Sequence, residues 1–111
     1  MADFYIKQND LLPVLEAILQ DINGNPVDLS NASNIVFHLR EENDATLKIE
    51  DGVVVIDTNP KTGKVTYSWI STDTDTNGLF LGEFEVTWAG AKKQTFPSRG
   101  YISIKVINDL A

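Results

Sequence analysis

Apolar and polar residues alternate with a period of two along the stretch from Gly78 to Trp88. Four large apolar side chains share one parity: Phe80, Phe84, Val86 and Trp88. Glu83, Glu85 and Thr87 fall on the other parity. This alternation predicts a strand with one face in an apolar core and the other in water. Gly82 falls on the inward parity, where a missing side chain allows a bulky ring to come close.

Shorter segments along the chain repeat this alternation. We predict strands at 4–7, 13–21, 34–41, 47–50, 53–57, 64–70, 78–88, 92–96 and 101–107. The pair Asp51-Gly52 predicts a tight hairpin between two of them, because Asp-Gly supplies the positive-φ positions of a type I′ turn. The polar segment 71–77 predicts a loop with about one helical turn, and 30–33 predicts a second turn.

These elements predict an all-β fold. The strands are short, turn signals recur about every 8–12 residues, and no long amphipathic helix pattern interrupts them. The 111 residues are enough for one domain, 1–111, with its own core. At this size we favour an antiparallel β-sandwich over a small barrel.

Composition narrows the classes of partner. The formal net charge is −7, so nucleic acid and anionic membrane surfaces are poor partners. The sequence has no Cys and no run near the ~20 apolar residues that span a bilayer. Its first residues lack the basic and apolar regions of a signal peptide, so we expect a soluble protein made in the cytoplasm.

Few residues are candidates for chemistry. His38, the single histidine, lies on an outward parity and is interpreted as a surface strand residue. Asp73, Asp75 and Asn77 form the opening half of a calcium loop, but Phe84 stands where the closing acid belongs. We therefore interpret 73–78 as a capped turn rather than a metal site. We expect no catalytic residue, no cofactor and no enzymatic activity.

Two tryptophans provide the alternative function. Trp69 and Trp88 could stack on sugar rings if they were exposed, as in a small carbohydrate-binding module. Their inward parity favours a place in the core instead.

Five segments taken in order resemble a known family. Segment 19–32 is similar to the pattern L-x-D-x-x-G-x-P-V-D-L-T-G-A, with Ser30 and Asn31 in place of its Thr and Gly. Segments 4–13, 63–69, 75–80 and 95–101 complete the series. Together they resemble small virion proteins of tailed bacteriophages related to the N-terminal domain of the baseplate upper protein. The resemblance extends over nearly the whole chain.

The resemblance implies an immunoglobulin-like β-sandwich that acts as a structural adaptor in a phage particle. It implies other virion proteins as partners, several copies in a symmetric assembly, and no catalytic residues. Baseplate proteins continue from this domain toward host-binding parts, whereas this sequence ends at Ala111. We therefore expect an adaptor or decoration component of the tail, baseplate, neck or capsid.

An adaptor without an active site needs a docking surface. Six apolar residues lie on parities predicted to face outward: Val14, Ile18, Val36, Leu81, Tyr101 and Ile107. We hypothesise that strand pairing gathers them into one partner-binding patch.

Overall fold

Eight strands are present in the computed structural model, which describes residues 2–110. They are β1 (Phe4–Lys7), β2 (Leu15–Ile18), β3 (Ala32–Glu41), β4 (Leu47–Ile56), β5 (Lys64–Tyr67), β6 (Gly78–Trp88), β7 (Lys92–Phe96) and β8 (Ile102–Ile107). A 3₁₀ turn, Pro60–Thr62, precedes β5. The prediction of an all-β fold in one domain is confirmed. None of the helical structure within residues 2–110 is long and apolar enough to cross a membrane.

The strands form two layers joined by one shared strand. The first sheet has the order β1-β8-β6-β3-β4, and the second has the order β4-β5-β2. β7 and β8 pair with the same edge of β6. β8 pairs with its first half and β7 with its second half. All pairs are antiparallel except β1 with β8, which is parallel. The fold is therefore a sandwich in which β4 passes from one sheet to the other.

The core lies between the two sheets and is built around Phe37. This side chain is fully buried, and its ring centroid lies 4.9 Å from those of Tyr67 and Phe84. Gly82 on β6 has the predicted role, because a Cβ there would lie 2.8 Å from the Phe37 ring. Aromatic pairs of this kind contribute about 0.5–1.5 kcal/mol each beyond their buried area.

The predicted hairpin at Asp51-Gly52 is wrong, because β4 is one continuous strand. A type I′ turn needs positive φ at both central residues. Only Asp51 has it, with φ 56°, and Gly52 does not. The result is a β-bulge, in which Glu50 and Asp51 lie opposite the single residue His38 of β3. Gly52 serves another purpose, because a Cβ there would lie 2.6 Å from Tyr67 Cε1.

Several strand ends also differ from the predictions. β2 and β5 are shorter than 13–21 and 64–70, and β3 begins at Ala32, inside the turn predicted at 30–33. After β5, which ends at Tyr67, the backbone N–H of Ile70 bonds to the Asp73 carboxylate and not to a neighbouring strand. Beyond β2 the chain turns back at Asp21, whose carboxylate accepts the N–H groups of Asn23 and Asn25.

Candidate functional site

An open depression lies between the edges of the two sheets, on the side away from β4. This open groove has a volume of about 800 Å³. Its apolar lining includes Phe4, Leu15, Leu19, Phe96 and Ile102. One wall is β2 with the residues after it, and the other is formed by β1 and the connection from β7 to β8. The groove is therefore the open side of the sandwich.

The β2 wall presents unpaired backbone. Within residues 2–110, β2 pairs only with β5, so its other edge has no strand neighbour. The N–H of Leu19 donates to Gly63 O at 2.8 Å, so the backbone N–H and C=O groups of odd-numbered residues in this segment point toward β5. Hydrogen-bonding direction alternates along an antiparallel strand. The N–H and C=O groups of Glu16 and Ile18 therefore point toward the free edge.

The rim of the groove is mostly acidic. Asp3, Glu16 and Asp21 line it, against the single cation Arg99. The Glu16 carboxylate lies 3.1 Å from the ammonium of Lys64, and both side chains are exposed to water. An exposed pair of this kind contributes little to stability. The rim and the net charge of −7 together give a negative potential on this side.

The six predicted interface residues do not share one surface. Val36, Leu81, Tyr101 and Ile107 lie on the outer face of the first sheet. Val14 and Ile18 belong to the β2 region of the second sheet. Only Ile18 lines the groove. Ile18 and Tyr101 are exposed, whereas the other four are half-buried. The hypothesis of a single gathered patch is therefore not supported by their positions.

Two of these residues lie around a structural arginine. Leu81 is paired with Arg40 on one side and Ser103 on the other. The guanidinium of Arg40 lies 5.5 Å from the centroid of the Tyr101 ring and donates to the carbonyls of Glu41, Glu42 and Asp44. Arg40 thus holds the β3–β4 connection.

Sequence reasoning missed the free edge of β2 and the exposed valines of β4. Val53 and Val55 are 81% and 63% exposed. The run Val53-Val54-Val55-Ile56 has no polar residue to mark the outward parity, so side-chain pattern could not identify them. A free backbone edge leaves no mark in the side-chain pattern at all.

The carboxylate of Asp73 is used inside the fold. Asp73 is 3% exposed, and its Oδ2 accepts the Tyr67 hydroxyl at 2.6 Å and the Ile70 N–H at 2.8 Å. Burial, followed by this bond and the carboxylate charge, raises the pKa of Tyr67 above its usual value. Asp73 therefore caps a turn at 70–73, in which its own N–H donates to Ile70 O, so the capped turn lies earlier in the chain than the predicted 73–78.

The rest of that loop fastens the N-terminal turn. The Thr74 hydroxyl donates to Asp10 O at 2.9 Å, and Gln8 Nε2 donates to Asp75 O at 2.7 Å. The ammonium of Lys48 donates to the Asp75 carboxylate, which holds the pKa of that carboxyl below its usual range. Asn77 is exposed. Across the described part of the chain, no three His, Cys, Asp or Glu side chains are grouped so as to hold a metal ion.

His38 supports the bulge of β4. Its Nδ1 accepts the N–H of Asp51 at 3.2 Å, and its Nε2 lies 3.7 Å from the Asp51 carboxylate. This contact stabilises a residue with positive φ in the middle of a strand. His38 is interpreted from the sequence as a surface strand residue; it does lie in β3, but its side chain is only 15% exposed.

The tryptophans differ in exposure. Trp69 is 5% exposed and donates its Nε1–H to Pro13 O, so its ring faces are not available to a sugar. Trp88 was expected in the core but is half-buried, and its Nε1–H donates to Gln94 Oε1. Trp88 is the last residue of β6, and its side chain is less buried than those in the middle of the strand.

No protein-family model matches the chain, and no curated protein sequence matches it either.

Proposed function

We propose that the chain is a docking module that works by protein–protein contact, as an adaptor or decoration component of a tailed-bacteriophage virion. One observation carries the docking part: a free strand edge stands beside an apolar groove on the open side of the sandwich. Exposed edges are places where another chain can pair. The two buried polar side chains among residues 2–110, Asp73 and Thr74, are both used in internal hydrogen bonds.

The ordered series of segments supports the virion context. The segments that resemble phage virion proteins contact one another in the fold. The N–H of Leu19, in segment 19–32, donates to Gly63 O of segment 63–69. Gln8, in segment 4–13, donates to Asp75 O of segment 75–80. The resembling segments thus form turns that hold one sandwich together, and their order along the chain is what supports the virion context.

The test is the composition of purified particles. We expect mass spectrometry to find the chain in phage particles from the same genome, at a fixed ratio to the major capsid protein. We also expect neighbouring reading frames to encode portal, tape-measure or capsid proteins. Glycan-array binding that disappears in Trp88→Ala, with the fold intact, would contradict the proposal and establish the carbohydrate-binding alternative.

A further inference from the structure

We infer that β2 is the docking element, and that its occupant is an extended, basic segment of another protein that adds to it as a strand. The assignment rests on the proposed docking function and specifies its mode. The segment would close the open side of the sandwich by pairing with Glu16 and Ile18. Its apolar side chains would face the groove, and its basic side chains would face the rim.

The backbone provides the first argument. Glu16 and Ile18 each direct one N–H and one C=O away from β5, as the Leu19 to Gly63 bond requires. An incoming strand satisfies these groups in pairs, which gives affinity without a particular side-chain sequence. β2 is short, with four residues, and carries the charge of Glu16. Short length and edge charges are features that limit indiscriminate pairing, so this edge suits a specific partner.

The shape of the groove provides the second argument. A strand lying beside β2 would present every second side chain to the interior. There it would meet Phe4, Ala17 and Ile102, which line the groove, pack against the core and are only half-buried. The incoming apolar side chains would extend the existing core across the gap between the sheets.

Charge selects the occupant. Asp3, Glu16 and Asp21 outnumber the two cations near them, Arg99 and the Lys64 that pairs with Glu16, and the whole chain carries −7. A second copy of the chain would bring the same net charge and the same acidic rim. A segment of net positive charge is therefore the complementary partner, because opposite potentials steer association and like potentials oppose it.

The experiment uses a synthetic peptide as probe. It has roughly eight residues alternating valine and lysine, long enough to cover a typical strand of about 5–6 residues. Its control has the same residues in two blocks, which keeps the charge but removes the alternation. We expect only the alternating peptide to slow hydrogen exchange at the amides of Glu16 and Ile18. Without peptide, these two amides should exchange faster than that of Ala17, which faces β5.

Two variants at one position separate backbone from side chain. Ile18→Pro removes an outward N–H, and a proline is tolerated where an edge N–H faces solvent. Ile18→Ala truncates the same side chain and keeps the N–H. We expect Ile18→Pro to weaken peptide binding by at least about tenfold, and Ile18→Ala by much less. The exchange measurement on the unaltered chain decides the matter even if Ile18→Pro folds poorly.

Several results would overturn the inference. If both peptides bind equally well, or if the alternating peptide binds Ile18→Pro as well as the unaltered chain, then charge attraction alone explains the binding and no strand pairing occurs. A dimer of the unaltered chain that becomes monomeric in Ile18→Pro would identify a second copy as the occupant. If particles incorporate Ile18→Pro normally, the edge is not the docking element although the docking function stands. If the peptide pairs with β2 but the chain is absent from particles, the virion function fails and the edge assignment remains.

Discussion

The two long sides of the sandwich end in opposite ways. On one side, β4 pairs with β3 through its first half and with β5 through its second, so the two sheets are joined by hydrogen bonds. On the other side, the first sheet ends at β1 and β7 and the second ends at β2, with a groove between them. A strand that joins the two sheets must bend. Of the two sides, the β4 side has a β-bulge that allows this bend.

The bend depends on two adjacent residues. Asp51 adopts positive φ and forms the bulge, with its N–H held by His38. Gly52 leaves room for the Tyr67 ring where the strand passes between the sheets. β2 has no comparable bulge and keeps a regular register with β5 over its four residues. The hydrogen-bonded closure of one side of the sandwich therefore depends on two residues of β4. The other side stays open because no strand there passes from one sheet to the other.

The largest effect is expected from filling the space at the closed side. Gly52→Val would place a Cβ 2.6 Å from Tyr67 Cε1 and 3.2 Å from the Phe37 carbonyl oxygen. Because the backbone atom cannot move aside, we expect a loss of about 3 kcal/mol in the free energy of unfolding. Urea denaturation measures it. Val55→Ala, on the same strand but exposed, should change stability by less than about 0.5 kcal/mol.

A pair of prolines compares the two edges of β2. Ala17→Pro removes an N–H that faces β5, so it should cost about 2 kcal/mol or more. Ile18→Pro removes one that faces the groove and should cost less than about 1 kcal/mol. The measurement is again urea denaturation, run on both variants together. Equal losses would show that the free edge has been assigned to the wrong side of the strand.

Tyr67 connects the closed side to the loop after β5. Tyr67→Phe leaves the buried Asp73 carboxylate with the Ile70 N–H and without the hydroxyl, so we expect a loss of about 1.5–3 kcal/mol. Tyr101→Phe, at an exposed position, is the matched control and should change stability little. The comparison is made by thermal and urea unfolding at neutral pH.

The raised pKa of Tyr67 also predicts alkaline sensitivity. Tyrosine in the unfolded chain ionises near about pH 10, whereas folded Tyr67 keeps its proton to higher pH. Its stabilising contribution is therefore complete below about pH 10 and is lost as pH rises above that value toward the folded pKa. This part of the alkaline loss should be missing from Tyr67→Phe. An unchanged alkaline profile in that variant would contradict the buried bond.

The smallest effect is expected from calcium. Asp73 already binds Tyr67 and Ile70, and Asp75 binds Lys48, so few oxygens in the loop are left for a cation. Melting curves with millimolar calcium and with chelator should superimpose. A rise of several degrees with calcium would mean that these acids exchange their internal partners for the ion.

The sequence by itself determined the strands with strict alternation. β6 follows its prediction over its full length, and Phe80, Phe84 and Val86 are buried as their parity indicates. Ile35, Phe37 and Leu39 on β3 and Ile104 and Val106 on β8 agree in the same way. The physical reason is that a period of two leaves only one face for apolar side chains, whatever the neighbouring strands are. A capped turn near Asp73 was also accessible, because the Asp73 carboxylate accepts the N–H of Ile70, only three residues away.

Only the tertiary structure decided how strands meet. Asp51-Gly52 permits either a turn or a bulge, and the partner residue His38, thirteen positions away, selects the bulge. The hydroxyl of Tyr67 finds Asp73 only after β5 and the following loop fold over the core. The free edge of β2 depends on which strand is missing beside it, and backbone groups are the same in every residue. A free backbone edge is therefore defined by topology, because no pattern of side chains encodes it.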